Sequence, residues 1–587
     1  MYVHAVRETA YLKRDQALPR QTGLFLLSTV TMVSCVVLGG GTHAGFLGDV
    51  IIQATALPLG LLVIWSLLGR PWKQAGNGPF WAAVFTVLLL AFPLLQLIPV
   101  SAHLPWLPSA HLSPGDSAAL TSRLQGWQPL SVYPEATWLA WLSLMPPVVL
   151  FWGIALLDLK DRRLVSLAVL ALGAASAFLG LLQIAQGPSS ELRFFEITNQ
   201  SEAVGFFANR NHFSALLYCE ILIVAAWIMA ITGEMLEAPR GQRFQSAEIL
   251  VVAAGFAFLV ALIAAQGMAR SRAGIFLTGA ALAGAIAMTF GTRRREEREQ
   301  SQRRLIGAAF VIAITLVAEF SLYRAFERFA YDNLQDDSRI VFARNTIEAA
   351  KSFMPFGSGL GTFVRVYGLF EKPADTMVNK YANHAHNDWL ELWLEMGVAG
   401  LVLTALFVLW LAWRAPKIWG GQNPGIPELD VLLAKSASLI IVLLLLHSAV
   451  DYPLRTSAIM AVMAFACALL IDPPAPADNS LAAKPMLLRS ERSRPGKSRR
   501  MQPNLEGDKS GAEAGGGPNA VPGKDELRRP VSGYDTQRWN HPAEWPSAWS
   551  PGPSEAKPAP GAQPPTDPVW PADIPPPRAP GPDKKQD

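Results

Sequence analysis

Two histidines, an asparagine and three carboxylates crowd one stretch of this sequence: His384-Ala-His386-Asn387-Asp388-Trp-Leu-Glu391-Leu-Trp-Leu-Glu395-Met-Gly397-Val-Ala-Gly400. Imidazole is the side chain that exchanges a proton near neutral pH, so a histidine among carboxylates suits general acid–base chemistry. The stretch opens polar and runs without a break into an apolar helical pattern. Spacings of three and four put Asp388, Glu391 and Glu395 on one helix face, with Leu390, Trp393 and Gly397 on the other. Charges at the mouth of a membrane helix are costly and usually face a protein interior or a wet cavity. The competing reading is an interfacial amphipathic helix anchored by its tryptophans. The stretch alone leaves both open.

Four other segments carry candidate chemistry: Gly205-Phe-Phe-Ala-Asn209-Arg210-Asn211-His212, Ala269-Arg270-Ser271-Arg272-Ala-Gly274, Asp336-Asp337-Ser338-Arg339 and His447-Ser-Ala-Val-Asp451-Tyr-Pro453-Leu-Arg455. Arginine is the informative type. It stays charged, binds phosphate through a planar fork, and is disfavoured in short loops outside the cytoplasm. For each of Arg210, Arg270, Arg272 and Arg339 taken singly, contact with lipid headgroups or pairing with Asp336, Asp337 or Asp451 is the better reading. Several of them converging with a histidine would make a phosphate-bearing substrate competitive. Gly357-Ser-Gly359-Leu-Gly361 lacks the strand–helix context of a phosphate loop and reads as a tight turn. No metal site is argued, because His384 and His386 diverge at a spacing of two on a helix and no metal-ligand motif accompanies them.

The elements that must position these residues are membrane helices. Of 587 residues, 51% are hydrophobic and only 16% charged, far from a soluble average. Apolar runs of about twenty residues predict about twelve spans, with centres at 27–38, 52–67, 84–97, 139–154, 164–182, 213–231, 250–264, 275–288, 306–320, 390–410, 432–446 and 458–470. The expected fold is thus all-α and polytopic. Residues 1–21 form an N-terminal polar segment and 22–471 the membrane domain, which includes a long folded loop at about 324–388. Basic residues at Lys13, Arg14, Arg20, Arg70, Lys73, Lys160, Arg162, Arg163, Arg293–Arg295, Arg414 and Lys417 alternate with the other loops, which predicts both termini in the cytoplasm. Over half of the prolines lie in residues 472–587, a composition that reads as a disordered cytoplasmic tail with a potential partner of its own. Cys35, Cys219 and Cys467 lie far apart in apolar runs and suggest no disulfide framework.

Together the motifs resemble the bacterial O-antigen ligase and polysaccharide polymerase family. Its pattern of His, then Asn, Ser or Gln, nine residues, then Gly-x-x-Gly reads here as His386-Asn387, nine residues, Gly397-Val-Ala-Gly400. The resemblance is strongest over about residues 205–455, and the tail has no counterpart in it. It implies a membrane glycosyltransferase of the GT-C type in the bacterial inner membrane. The donor would be a glycan on a polyprenyl diphosphate, and the acceptor a hydroxyl of lipid A-core or of another glycan. It also implies no metal, no cofactor and no nucleic-acid partner.

The residue types suit that chemistry. His386 is the base candidate, worth roughly a hundred- to ten-thousand-fold, with Asn387 and the Asp388/Glu391 face as candidate orienting groups. Arg272 and Arg339, with Arg210 next, are candidates to stabilise the leaving diphosphate, at about 3 kcal/mol for each well-placed donor. Asn211, Asn387, Asp388 and Asp451 join Arg210 as candidate substrate-binding residues. Repeat-unit polymerisation and protein O-glycosylation remain open within the family. Outside it stands a transporter or flippase of lipid-linked glycan, against which the lack of an internal repeat and the placement of the charges at helix ends count.

Overall fold

A computed structural model of the protein describes residues 2–42, 47–68, 77–101, 127–195, 198–237, 246–290, 333–373, 375, 382–420 and 426–473. Among these, thirteen α-helices form: α1 (Tyr2–Leu38), α2 (Leu47–Leu68), α3 (Asn77–Gln96), α4 (Pro134–Ala155), α5 (Leu159–Gln186), α6 (Arg210–Glu237), α7 (Ser246–Ala269), α8 (Arg272–Phe290), α9 (Asn333–Ser352), α10 (Phe363–Phe370), α11 (Asp388–Gly420), α12 (Glu428–His447) and α13 (Ser457–Leu469). A short antiparallel ladder, β1 (Pro99–Ser101) with β2 (Trp127–Pro129), is the one departure from all-α among the described residues. Ten of the helices are long and apolar enough to cross a membrane, and α13 is a shorter apolar helix in the place of the last expected span. The expected ninth span at 306–320 and the tail after residue 473 lie outside the described residues. Helix α1 begins at Tyr2 and runs through the polar N-terminal segment into the first span.

Prolines inside α2, α3 and α4 do not end them, as neighbouring helices re-satisfy the freed backbone groups. The centre of the bundle is α6, buried along nearly its whole length and packed against α5, α7, α8, α12 and α13. One end of the bundle gathers the C-terminal ends of α1, α3, α5 and α12 and the N-terminal ends of α6, α11 and α13. Backbone bonds join them there, from Ala208 N–H to Gly40 O at 3.0 Å, Ala458 N–H to Gly39 O at 3.1 Å and Asp388 N–H to Ser448 O at 2.8 Å. At the opposite end Arg162 is buried and donates to the Ala155, Leu157, Ala468 and Ile471 carbonyls, closing the last turns of α4 and α13. Beside it Arg163 forks onto Asp430, with Nε–Oδ1 at 2.8 Å and Nη2–Oδ2 at 2.5 Å.

Helix α11 breaks one third of the way along, at Gly397, whose φ of 55° and ψ of −137° are not helical. A Cβ there would strike the Pro355 carbonyl, so glycine is required both by conformation and by space. The glycine-rich turn is the receptor for this break. Ser358 N–H and Gly359 N–H donate to the Leu394 and Glu395 carbonyls at 2.9 and 3.0 Å, and Val398 N–H donates to Pro355 O at 2.8 Å. From α3, Gln96 Nε2 adds a bond to Glu395 O at 2.8 Å. The Leu394 and Glu395 carbonyls and the Val398 N–H at the kink thus find partners within the protein, as irregular backbone at membrane depth requires. Within the range of the expected loop, α9 and α10 share a small core of Phe342, Phe353, Phe363, Val366 and Tyr367 with Leu394 of α11.

Candidate functional site

At the end of the bundle where these elements meet, His386 adopts a φ of 51°. A left-handed residue other than glycine is uncommon and costs energy, and such positions concentrate where a side chain must be aimed. The turn directs the imidazole at Asp451, with Nδ1 3.0 Å from Oδ1. The His386 side chain is one quarter exposed, while that of Asp451 is buried. Phe342 of α9 lies nearly parallel to the His386 ring at 5.9 Å, and Tyr452 meets it edge-on at 4.9 Å. With Nδ1 held by a carboxylate and the ring held by two aromatics, Nε2 is left as the nitrogen able to exchange a proton with a bound molecule.

Asp451 is held from both oxygens. Asn211, in the first turn of α6, donates from Nδ2 to Oδ2 at 2.6 Å. Burial alone would push the Asp451 carboxyl up, but the His386 hydrogen bond and the charges of neighbouring imidazoles outweigh it and hold it well below the usual carboxylate range. Tyr452 is buried and sits among three imidazoles: His384 at 4.2 Å, His386 at 4.9 Å and His212 at 4.8 Å. Its hydroxyl accepts from Asn209 and Asn383 at 3.4 and 3.3 Å.

The three carboxylates that share a helix face meet a single cation. Arg455, from the 3-10 turn Pro453–Arg455, reaches Glu395 Oε2 at 2.6 Å, Glu391 Oε1 at 3.4 Å and Asp388 Oδ1 at 3.3 Å. All three acids are buried, which selects the interior-facing reading of the stretch over the interfacial one. The orienting group of His386 is accordingly Asp451. The candidates Asp388 and Glu391 are occupied elsewhere, Asp388 also accepting from the Ser448 hydroxyl at 2.8 Å and from Leu454 N–H at 3.2 Å. Asn387 caps α11: its Oδ1 accepts from Trp389 N–H and Leu390 N–H at 3.0 and 3.1 Å, and its Nδ2 donates to Ala449 O at 2.8 Å.

The arginines divide. Arg210 pairs with buried Glu202 at 2.5 Å, which ties it to the loop preceding α6. Arg339 is exposed on α9, one turn before Phe342, and its charge acts on His447 at the end of α12. Arg272 opens α8, where Ser271 Oγ accepts from Gly274 N–H at 3.1 Å and Gly274 lies against Ser214 of α6, one turn beyond Asn211. The alternative pairing of Arg339 with Asp336 or Asp337 falls on side chains outside the described residues. No group of three or more His, Cys, Asp or Glu side chains among the described residues is arranged to hold a metal ion.

Residues that sequence reasoning named without a role, or passed over, complete the cluster: Arg455, Tyr452, His384, Asn209 and Thr42. Only Arg455 had a legible signal, since three carboxylates on one buried face require a cation. Residues 256–405 match the family model described as O-antigen ligase. That span takes in α8, α9, α10, His386 and the Gly397 kink, and it supports glycan transfer of the O-antigen ligase or polymerase type. No curated protein matches the chain.

Proposed function

We propose that this protein transfers or polymerises a glycan from a polyprenyl-diphosphate donor onto an acceptor hydroxyl at the outer face of the bacterial inner membrane. The match of residues 256–405 to the O-antigen ligase family supports the reaction class. The observation that carries the mechanism is the His386–Asp451 pair, with Nδ1 bound to a buried carboxylate and the His386 side chain itself partly exposed. The acceptor oxygen attacks the anomeric carbon and forms the new glycosidic bond as the bond from that carbon to the phosphate oxygen breaks. The hydroxyl proton passes to His386 Nε2, and the diphosphate leaves with the bonding electron pair. Asp451 keeps the reactive tautomer and stabilises the imidazolium that forms, as buried carboxylates do for catalytic histidines elsewhere. Arg272 and Arg339 are the cations proposed to meet the charge growing on the leaving group, which makes the transfer metal-independent.

The test is transfer in vitro by purified full-length protein, from a lipid-diphosphate glycan to lipid A-core, to repeat-unit glycan and to peptide acceptors. New glycosidic product on any of them upholds the reaction class, and the acceptor used separates ligase, polymerase and protein glycosylation. Movement of the donor across a vesicle membrane with no product on any acceptor would overturn it in favour of a transporter.

A further inference from the structure

His384 lies two residues before His386 and faces different partners. Its Nδ1 is 2.8 Å from Glu391 Oε1, and its Nε2 is 3.1 Å from the carbonyl oxygen of Thr42, just beyond α1. Both partners are acceptors. Glu391 also faces the Arg455 guanidinium through Oε1 and accepts from Ala385 N–H through Oε2 at 2.9 Å, the contacts of an ionised carboxylate. A neutral imidazole carries one N–H, so one of its nitrogens would turn a lone pair on an oxygen; the doubly protonated ring satisfies both. The surroundings suit a cation. The Tyr452 ring lies 4.2 Å away, and Phe363 lies nearly parallel at 6.5 Å. Arg455 alone leaves the three buried carboxylates Asp388, Glu391 and Glu395 with an excess of negative charge.

We infer that His384 is held as an imidazolium at neutral pH and, in that state, positions His386 by tying the end of α1 to the first turn of α11 and backing the Tyr452 ring that abuts the base. The second half of this inference rests on the proposed transfer reaction; the first half does not. The charged and titratable groups facing His384 are Glu391, Arg455 with Asp388 and Glu395 behind it, and, around Tyr452, His386 with Asp451 and His212. Burial works against protonation, but the charge and hydrogen bond of Glu391 more than offset it and Arg455 opposes them, so the imidazole is raised above its ordinary value. The clamp is therefore present at low and neutral pH and is lost as pH rises through that raised value.

Histidine 15N resonances of the full-length protein in lipid nanodiscs test the charge state, with His384→Gln assigning the signal among the nine histidines. The expected result is two protonated ring nitrogens on His384 at pH 7.5, where a free imidazole of pKa about 6.5 is mostly neutral. A single N–H at that pH would overturn the inference. Transfer against pH tests the positioning role. His384→Gln is expected to slow turnover by about tenfold or more at unchanged donor affinity. His384→Arg, which keeps two donors and a fixed charge, is expected to recover part of that loss and to show no decline on the alkaline side. A wild-type rate and pH profile in His384→Gln, or no recovery in His384→Arg, would overturn the positioning role. Absence of transfer in the wild-type protein would instead count against the reaction, while the resonances still decide the charge.

Discussion

Asp451 holds His386 through one oxygen and Asn211 through the other, so its replacement separates orientation from charge. Asp451→Asn keeps the volume but no longer enforces the tautomer with Nε2 free. Transfer is expected to fall on the order of 10²- to 10⁴-fold, with donor affinity and folding retained. His386→Ala should lose transfer to the same degree, and a near wild-type rate in that variant would make His386 structural. Because the Asp451 carboxyl is held below its unfolded value of about 3.9, its contribution is present above that pH and fades only as pH falls through the lower, folded value. In 13C-aspartate-labelled protein, the Asp451 carboxyl should therefore remain ionised at pH 4; a resonance that moves to the protonated position by pH 5 would contradict the assignment. For the arginines, Arg272→Ala and Arg339→Ala are expected to weaken donor binding and slow transfer, with lysine restoring only part. Both act on one leaving group, so the double variant should lose less than the sum. Unchanged affinity and turnover in both single variants would remove the diphosphate clamp.

At the scale of elements, the kink in α11 and the turn that carries Arg455 decide where the base sits. Gly397→Ala puts a Cβ on the Pro355 carbonyl at a backbone angle that L-residues avoid, a cost of about 1–3 kcal/mol that should show as a lower melting temperature in detergent. Gly368→Ala in α10 has open space around it and ordinary backbone angles, so it should melt like the wild type. Equal melting of the two variants would show that the kink tolerates a side chain. Arg455→Leu leaves three buried carboxylates without their cation and is expected to cost about 3–5 kcal/mol, seen as loss of folded protein rather than as slower transfer by a folded one.

At the scale of the whole molecule, the proposed mechanism requires the His386 end of the bundle to face away from the cytoplasm. The described cysteines provide little background for labelling, because Cys35 and Cys219 are buried and Cys467 is half-buried. Lys372→Cys, exposed just beyond α10, is expected to react with an impermeant thiol reagent added outside intact inner-membrane cells. Lys160→Cys, at the opposite end, should react only after lysis. The reverse pattern would overturn the orientation and the mechanism with it. Truncation after residue 473 keeps the far-end contacts of Arg162 with Ile471 and of Arg414 with Asp472, so transfer should survive it. Loss of transfer in a truncated protein that still inserts at normal levels would make the Pro-rich segment a docking or regulatory element.

What the sequence determined by itself is what local physics controls. Burying about twenty apolar residues in hydrocarbon requires a helix, so run lengths alone located the spans found among the described residues. Helical spacing placed Asp388, Glu391 and Glu395 on one face, and glycine content marked the Gly357–Gly361 turn, because only a Cβ-free residue fits such angles; the break at Gly397, in a stretch read as one unbroken helix, came only from the structure. What only the tertiary structure decided is which side chains meet. His386 and Asp451 are 65 residues apart, and His384 and the Thr42 carbonyl 342 apart. No periodicity connects such positions, and two carboxylates much closer in sequence to His386 were the natural guesses for its partner. They were already committed to Arg455, a pairing set by the fold that returns the 3-10 turn after α12 to the mouth of α11. Desolvation made that pairing obligatory, since three buried acids without a cation would not persist. It left Asp451 as the carboxylate that could turn toward the base.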